Sequence, residues 1–447
     1  MVIFRRKVYE RLLSWKNEEK GKCALLVEGA RRVGKSTVVE EFGKNEYKSY
    51  VKIDFSIKNE DLIDVFENYS SDLEKFFTHL QLVTGSHLYT RDSLIIFDEI
   101  QNYPYARQMI KYLVADGRFD YIETGSLISI RKNVVNIQIP SEERHIEMFP
   151  LDFEEFLWAQ GDTVSTSILR SVFSDKEPLG KGSHRKLIDA FRTYMVVGGM
   201  PQVVDKFLTT GNFMDAEKVK RDIIDLYRLD LEKLPGNLGF RALKIFDSIP
   251  ALLSAHSKVF SPGKIESKSR NRQYEGSITW LREAKLINIC ECVDDPSVAY
   301  GLTLNHSRFK CYFLDTGLLL SLAFGKNRKE LEDTYMAMVR GKLSVNEGMF
   351  FENVVAQELK AHGHDLVFTV FRHKDVTTQY EVDFLIPGSG KISPIEVKSS
   401  ASSRHKSLDV FMEKFGTRTD TAYVIHSKDL RVDGKVVYLP IYMTMFL

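Results

Sequence analysis

The chain has 447 residues, which at about 100–200 residues per domain suggests two to four domains. Hydrophobic residues make up 43% and charged residues 28%, a balance that excludes disordered and fibrous classes and indicates a globular protein with a buried core. A net charge of +1 favours no class of charged partner. The four cysteines lack disulfide or zinc-finger spacing. We therefore expect their side chains to be reduced and to pack as small buried hydrophobic groups.

The N-terminus becomes polar after residue 4 and contains no continuous apolar stretch, so we expect no secretory signal. No run reaches 18 apolar residues, and the sequence therefore predicts no membrane-spanning helix. We expect a cytoplasmic protein that has no membrane partner.

Strands and helices alternate over the first 150 residues. An amphipathic helix is predicted at 5–19, and residues 60–83 also have helical spacing. Four short apolar runs indicate strands, and they lie at 23–28, 50–55, 93–98 and 119–124. Because helical segments separate these strands, we expect a parallel sheet of the α/β class over residues 1–150.

A phosphate-binding loop follows the first predicted strand. Gly29 to Ser36 fits G-x-x-x-x-G-K-[ST] between a strand and a helix, the context in which this pattern binds a triphosphate. Lys35 can reach the β- and γ-phosphates, and the Ser36 hydroxyl can hold Mg²⁺. Since no N-K-x-D guanine motif follows, we expect ATP with Mg²⁺. The predicted binding residues are Gly29, Ala30, Arg31, Arg32, Val33, Gly34, Lys35, Ser36 and Thr37.

Two acids end the apolar run at 94–97. Asp98 is predicted to hold Mg²⁺ through water, and Glu99 to polarise the attacking water as general base. Two adjacent acids favour hydrolysis over transfer to a small molecule. The strand at 50–55 lies between the loop and these acids in the sequence, which indicates a P-loop NTPase of the additional-strand type.

Two more residues are candidates for the reaction. After the fourth strand, Ser126 is favoured over Thr124 as a polar contact of the γ-phosphate or the lytic water, with a plain turn as the alternative. Arg144 is the best candidate for an arginine that acts in trans within a homo-oligomer, with an ordinary surface arginine as the alternative.

The rest of the chain divides into three predicted parts. Residues 151–240 have helical spacing and predict a helical extension of the ATPase core. Residues 241–324 contain helices followed by extended stretches, which suggests a winged-helix module. A charged, glycine-bounded linker at 325–342 precedes a final α/β domain at 343–447.

A basic cluster lies before and at the start of the predicted recognition helix at 270–284. It consists of Lys264, Lys268, Arg270 and Arg272. These side chains could contact DNA phosphates. The alternative is a solvated basic loop in a module that only packs between domains.

The final domain contains a candidate metal site. A hairpin centred on Ser389 and Gly390 would place Asp383 opposite Glu396, about 5 Å apart at Cβ. Lys398 lies two residues further and shares the face of Glu396. A capping box at 344–347 predicts a helix on which we expect Glu352 to face inward. The predicted metal ligands are Glu352, Asp383 and Glu396, with Lys398 catalytic.

The alternative is that these acids and the lysine form a structural ion-pair cluster. The D…E-x-K arrangement is that of restriction-endonuclease-like nucleases, but E-x-K alone is common. Pro394 within the second strand implies an edge strand or a bulge, which weakens the register argument.

These motifs resemble a widespread family of bacterial and archaeal AAA-type ATPases whose C-terminal domain of unknown function is similar to the restriction-endonuclease, or PD-(D/E)xK, fold. The matching stretches are 29–37, 96–101, 150–156, 198–201, 351–353, 381–384 and 394–399. The resemblance covers nearly the whole chain, and it implies ATP binding at the loop and only a nuclease-like scaffold at the C-terminus. Ser36 departs from the commoner threonine, although both supply a hydroxyl.

Three hypotheses remain open. The first is an ATPase that couples hydrolysis to rearrangement of its C-terminal domains toward DNA or another partner. The second is a metal-dependent nuclease regulated by ATP. The third is an interaction module that is switched by the nucleotide and hydrolyses it slowly.

Overall fold

A computed structural model describes residues 2–125, 141–266, 270–325, 327–343, 347–388, 390–399 and 405–447. The chain divides into two compact units, Met1–Phe149 and Pro150–Leu447. The first unit ends one residue before the predicted limit of the ATPase core. Within the described ranges, no helix is both long enough and apolar enough to cross a bilayer.

The first unit is a five-stranded parallel sheet with helices against both faces. Its helices are α1 (Val8–Glu19), α2 (Lys35–Glu46), α3 (Glu60–Tyr69), α4 (Leu73–Thr84) and α5 (Pro104–Asp116). Its strands are β1 (Ala24–Glu28), β2 (Ser49–Asp54), β3 (Ser93–Asp98), β4 (Asp120–Gly125) and β5 (Glu143–Glu147). The strand order is β2-β3-β4-β1-β5.

The core of this unit follows from the alternation of side chains along buried strands. Ile95 and Phe97 of β3 point to one face and pack in a cluster with Phe66 of α3 and Phe76 of α4. The helical segment predicted at 60–83 is in fact two helices, because the Asp72 side chain caps a new helix by accepting from the Lys75 N–H.

Two predictions for this sheet were incomplete. The strand that lies between β1 and β3 in space is β4, whereas the strand at 50–55 is the sheet edge, because order along the chain does not fix order in the sheet. No pattern in the sequence indicated β5, in which Ile146 is the one buried residue. A strand with so little apolar content has no periodicity to find.

The second unit contains eleven helices and nine strands among its described residues. The helices are α6 (Phe153–Ala159), α7 (Ser165–Asp175), α8 (Lys181–Val197), α9 (Pro201–Thr210), α10 (Phe213–Glu232), α11 (Asn237–Ser254), α12 (Asn271–Glu283), α13 (Thr316–Ala323), α14 (Arg328–Val339), α15 (Glu347–Ala361) and α16 (Lys406–Phe415). The strands are β6 (Ile287–Val293), β7 (Leu304–Phe313), β8 (Val367–His373), β9 (Asp375–Val382), β10 (Phe384–Pro387), β11 (Ile392–Val397), β12 (Ala422–His426), β13 (Arg431–Asp433) and β14 (Val436–Pro440).

The predicted modules at 241–324 and 343–447 are joined by a common sheet. One sheet has the order β7-β6-β8-β9, and β6 pairs in parallel with β8, placing Glu291 beside Val367. The second sheet has the order β10-β11-β12-β14-β13. Strands from both predicted modules therefore belong to one hydrogen-bonded sheet. The strands predicted to form the wing, β6 and β7, are part of this sheet.

The predicted linker at 325–342 is wrong, because α14 occupies most of it. Asn327 caps this helix by accepting from backbone N–H groups, and Leu331, Tyr335 and Met338 are buried. Their spacing of four and three residues places them on one helix face. The charged residues between them hid this stripe in the sequence.

The motif at 198–201 is a close backbone contact. The Gly199 N–H donates to Asp315 Oδ2 at 2.6 Å, and the Leu151 N–H donates to the Gly199 oxygen at 2.7 Å. A Cβ on Gly199 would overlap the Leu151 backbone. Glycine therefore allows the segment that begins the second unit to pack against the end of α8.

Candidate nucleotide-binding site and a second carboxylate cluster

The order of the parallel strands brings the loop and the two acids to one edge of the first sheet. β1 ends at the loop and β3 ends at Asp98, with β4 paired to both strands. Carboxyl ends of parallel strands form the usual ligand-binding edge of such sheets. The Ser36 hydroxyl donates to Asp98 Oδ1 at 2.7 Å, so the two predicted magnesium ligands are in contact.

The loop folds around its own lysine. Lys35 is 7% exposed, and its ammonium donates to the backbone oxygens of Gly29 and Ala30 at 3.0 Å each. Burial lowers the pKa of Lys35 to about 8, although the carboxylates of Glu99 and Asp98 oppose this shift. A positive charge held by only neutral oxygens is well placed to meet a phosphate.

The other loop residues differ in exposure. Ala30 and Val33 are buried, Thr37 is half-buried, and Arg31 and Arg32 are exposed. Arg32 has a φ of 70°, which a non-glycine residue adopts at some cost. The backbone conformation of the loop therefore requires a positive φ at Arg32 as well as at its glycines.

Contacts from outside the motif hold the loop in place. The buried Arg6 donates to the Val33 oxygen at 2.9 Å and to the Phe149 oxygen at 2.6 Å. A Cβ on Gly29, whose φ is 156°, would overlap the Met148 backbone oxygen. The sequence pattern alone indicated neither contact, because both partners are distant along the chain.

Asp98 is the most connected side chain of the site. Its Oδ1 accepts from Ser36 and Thr124, and its Oδ2 is 3.0 Å from Lys52 Nζ. Burial opposes ionisation of Asp98, but the hydrogen bonds from Ser36 and Thr124 and the Lys52 ammonium outweigh it and hold its pKa below the usual value. The motif search missed Lys52 as a functional candidate, and it ranked Thr124 below Ser126.

Glu99 lies on the turn that follows β3. It adopts a left-handed conformation with φ 53° and ψ 45°, and its N–H donates to the Thr124 hydroxyl at 3.4 Å. Gln101 donates its side-chain amide to the Glu99 carboxylate. The half-buried carboxylate of Glu99 thus follows Asp98 in the chain and is held by Gln101.

The two remaining reaction candidates are not placed in this site. Ser126 lies outside the described residues. Arg144 lies on the edge strand β5, its side chain is 68% exposed, and it forms an ion pair with Glu19 of α1 at 3.1 Å. Its exposure is compatible with either predicted role, and the choice between them stays a prediction.

A cavity of about 300 Å³ opens beside α2, the helix that begins at the loop. Its wall combines apolar, aromatic and charged side chains. The lining residues are Ile3, Phe4, Arg5, Arg6, Tyr9, Glu10, Val38 and Glu41. The cavity is large enough for a purine ring.

The acids predicted in the C-terminal part do come together. Phe384 pairs with Ile395, which places Asp383 opposite Glu396 as the hairpin register predicted. Asp383 interrupts the predicted strand between β9 and β10, and its Oδ2 accepts from the Val397 N–H at 2.9 Å. The Lys398 ammonium is 2.6 Å from Glu396 Oε1.

Cations from the 241–324 part already neutralise these acids. Glu352 of α15 is buried, pairs with Lys258 and accepts from the Tyr312 hydroxyl at 3.1 Å. Lys310, fully buried, is 2.6 Å from Glu381 and 3.9 Å from Asp383. The metal ligands predicted here are therefore members of an ion-pair cluster.

Burial shapes the charge of this cluster. Burial raises the pKa of Glu396 to about 8 and also raises that of Glu352, and the nearby Asp383 carboxylate adds to both shifts. Across the described residues, no three or more carboxylate, thiol or imidazole groups are arranged to hold a metal ion. The arrangement of these acids therefore gives no direct support for the predicted metal site.

Pro394 was expected to mark an edge strand or a bulge, and the structure contradicts only the edge. β11 lies between β10 and β12, and its pairing with β10 runs without a register shift. On the other side, Ile392 pairs with Thr419 and Ile395 with Tyr423, so three residues of one strand span four of its neighbour around Pro394. A missing N–H is tolerated where the ladder does not need it.

The basic cluster at the start of α12 is only partly free. Lys264 donates to the Ser257 oxygen at 2.5 Å and to the Val259 oxygen at 3.1 Å, while Lys268 lies outside the described residues. Arg270 and Arg272 are exposed. A groove of about 620 Å³ lies between α12 and the hairpin of β6 and β7.

Three stretches of the chain match family models. Residues 22–157 match an AAA domain, residues 188–330 match a domain of unknown function (DUF8612), and residues 347–443 match another (DUF4143). None of these descriptions names a winged helix or an endonuclease. No curated protein matches the sequence.

Solved structures show distant similarity. Cdc6p from Pyrobaculum aerophilum is 12% identical, with 77% of this chain and 97% of that one covered and a TM-score of 0.27. The Orc1 protein of Aeropyrum pernix, solved in complex with DNA, is 12% identical with 75% and 94% covered and a TM-score of 0.30. A signal transduction ATPase with a tetratricopeptide repeat sensor from Pyrococcus horikoshii is 15% identical, with 81% and 48% covered and a TM-score of 0.27.

TM-scores in this range do not establish a shared fold, so the assignment depends on the family match and on the strand order and loop described above. The parallel sheet, the loop and the paired acids all lie within the matched residues 22–157. The sheet and the loop of the first unit therefore lie in a stretch that matches the AAA domain model.

Proposed function

We propose that the first unit binds ATP with Mg²⁺ and hydrolyses it to ADP and phosphate. The observation that carries this proposal is the contact of Ser36 Oγ with Asp98 Oδ1 at 2.7 Å, directly beside Glu99. A loop hydroxyl, a strand-end acid and a second acid are the groups that hydrolysis of a phosphoanhydride requires.

The donor set fits Mg²⁺, which prefers oxygen ligands and usually keeps several waters. Ser36 and Asp98 would hold the ion, and Asp98 is suited to this because the hydrogen bonds from Ser36 and Thr124 favour its ionised form against the effect of burial. When bound, Mg²⁺ supplies charge that neutralises the phosphate oxygens.

Lys35 and Glu99 have distinct roles in this proposal. The Lys35 ammonium exchanges the oxygens of Gly29 and Ala30 for phosphate oxygens, which stabilise its charge better than neutral carbonyls do. Glu99 accepts a proton from the attacking water while Gln101 holds the carboxylate.

The cavity beside α2 offers a place for the base of the nucleotide. Phe4 and Tyr9 offer aromatic surface and Val38 offers an apolar wall within two residues of Ser36. A purine placed there would lie one helical turn from the phosphate loop. The cavity accommodates either purine, so the preference for adenine rests on the absence of an N-K-x-D guanine motif from the sequence.

Two variants test the proposal. Lys35→Ala should abolish binding of a fluorescent ATP analogue, and Glu99→Gln should bind it while releasing no phosphate. Glu60→Gln, which changes an exposed acid of α3, is the matched control and should behave as wild type. Ordinary phosphate release by Glu99→Gln would overturn the assignment of the base.

We further propose that nucleotide turnover is coupled to DNA or to another partner of the second unit. The support is the exposed pair Arg270 and Arg272 at the start of α12. Arg270→Ala with Arg272→Ala should weaken binding of duplex DNA uniformly across sequences and reduce its salt dependence. Equal binding by wild type and the double variant would remove DNA from the proposal.

Nucleic-acid cleavage and a slow nucleotide-switched module stay alternative hypotheses. Against cleavage, Lys258 and Lys310 contact the acids that a metal would need. Incubating plasmid and single-stranded DNA with Mn²⁺ tests it, and cleavage that Asp383→Ala abolishes would restore it. Assembly that depends on ATP, with turnover too slow to measure, would favour the switched module.

A further inference from the structure

Lys52 contacts the acid that the proposed hydrolysis assigns to the metal. Its Nζ is 3.0 Å from Asp98 Oδ2 and 3.5 Å from Glu40 Oε2. The Asp98 side chain is 4% exposed and that of Lys52 is 26% exposed. The lysine lies on β2 beside Ile96, while Glu40 belongs to α2, so its ammonium lies between two carboxylates on different elements.

We propose that Lys52 competes with Mg²⁺ for Asp98, holding the carboxylate in the metal-free site and weakening metal binding to it. This inference rests on the proposed function, because it takes the Ser36 and Asp98 site as the magnesium site. It assigns to Lys52 a positioning role and to Glu40 the role of a second partner for the displaced ammonium.

The contacts of Asp98 make this competition necessary. Oδ1 accepts from Ser36 and Thr124, which leaves Oδ2 as the oxygen that faces a cation. Lys52 already supplies a full positive charge there. A divalent ion with its water shell would therefore meet like charge at short range, in surroundings where burial reduces solvent screening.

Glu40 gives the ammonium somewhere to go. It lies within reach of Lys52 and also pairs with Lys44 at 2.9 Å. When a metal approaches Asp98, Lys52 can strengthen its contact with Glu40 and keep a charged partner. Two lysines share Glu40, so this second position for Lys52 is weaker than one with a carboxylate of its own.

A purely structural role predicts something different. Lys52 could only fasten the edge strand β2 to α2 and β3. Its removal would then lower the stability of the fold and loosen Asp98, and metal affinity would fall or stay the same. The direction of the change in metal affinity therefore separates the two roles.

The experiment measures Mn²⁺ affinity by electron paramagnetic resonance in the presence of ADP, and the Mg²⁺ dependence of binding of a fluorescent ATP analogue. Lys52→Met should bind the metal about fivefold more tightly, the scale of one partly exposed ion pair. Lys44→Met is the matched control: it leaves Lys52 on Asp98 and only frees Glu40 of its other partner, so it should tighten metal binding by less than about twofold. Glu40→Gln should weaken metal binding, because it removes the second partner of Lys52.

Lys52→Gln is the second variant if methionine disturbs folding, and Lys52→Arg should keep the wild-type affinity. Unchanged or weaker metal binding by a folded Lys52→Met or Lys52→Gln protein would overturn the inference. These readouts do not need turnover. If Lys52→Met binds the metal more tightly but the wild-type protein releases no phosphate, the inference stands and the proposed hydrolysis fails. If the wild-type protein hydrolyses ATP but Lys52→Met has unchanged metal affinity, hydrolysis stands and the inference fails.

Discussion

Thr124 connects the two acids of the ATPase site, so its hydroxyl is the most informative group to remove. The side chain is 1% exposed, its hydroxyl donates to Asp98 Oδ1, and it accepts from the Glu99 N–H at 3.4 Å. Thr124→Val keeps the shape of the side chain and removes only this group. The variant therefore tests whether the alignment of Asp98 and Glu99 depends on the hydroxyl.

The expected magnitude follows from the contacts that remain. A hydrogen bond to a charged group contributes about 1.5–3 kcal/mol, and Asp98 retains Ser36 and Lys52. We take the lower end, about 1.5 kcal/mol, for the loss in unfolding free energy. A similar loss of alignment at the transition state corresponds to about a tenfold decrease in kcat, since about 1.4 kcal/mol is a factor of ten.

The assay compares phosphate release, nucleotide affinity and urea denaturation for wild type, Thr124→Val and Thr124→Ser. We expect nucleotide affinity to stay within about twofold, because Lys35 and the loop are untouched and carry the phosphate contacts. Thr124→Ser retains the hydroxyl and should recover most of the activity. A Thr124→Val protein with wild-type kcat would refute the reasoning, as would a serine variant that is as slow as the valine one.

Three further changes have definite expected outcomes. Gly29→Ala places a methyl group against the Met148 oxygen and should abolish binding of the ATP analogue while circular dichroism shows a folded protein. Hydrogen bonding to Glu143 raises the pKa of His145 to about 9, so the imidazolium stabilises the fold below about pH 6.5 and this contribution is lost as pH rises through 9. His145→Gln should therefore be less stable than wild type at pH 6, by under about 1 kcal/mol for a half-exposed pair, and equal to it at pH 10 in urea denaturation. Burial raises the pKa of Glu396 to about 8, so wild-type stability should fall relative to Glu396→Gln as pH rises from about 4.5 to 8, and parallel curves would contradict this.

The nucleotide loop and the acids of β3 could be predicted from the sequence because their chemistry is local. Residues 29–37 lie in one strand–loop–helix connection, and the strand of Asp98 ends where its apolar run ends. Each local choice of residue agrees with the sheet that contains it. The predicted bounds of β1, β3 and β4 accordingly differ from the observed ones by one residue at most.

The residues that surround those motifs could not be found in this way. Lys52 and Thr124 reach Asp98 from strands on either side of β3, and Arg6 reaches the loop from the N-terminal segment. Their position depends on strand order and on packing between distant segments. A half-buried lysine beside an acid has no periodicity or spacing that a single sequence displays.

In the carboxylate cluster of the second unit, the local contacts could be predicted from the sequence and the distant ones could not. The pairing of Asp383 with Glu396 is local, because one hairpin sets it, and the register argument was correct. Lys258 lies 94 residues from its partner Glu352 and was invisible to that argument. A set of acids with correct spacing predicts a metal only when no cations from elsewhere in the chain reach it.

The two acidic sites therefore differ in how their charge is compensated. One ammonium contacts Asp98, and Glu40 offers it a second partner, so this carboxylate can be released to another cation. The C-terminal acids face three ammonium groups, among them the fully buried Lys310, and burial favours the protonated form of Glu396 at neutral pH. Removing a buried ammonium from its acids carries a large desolvation and pairing cost. A metal ion can accordingly displace the ammonium partner more easily from Asp98 than from the C-terminal carboxylates, although both sets of acids suggested a metal site in the sequence.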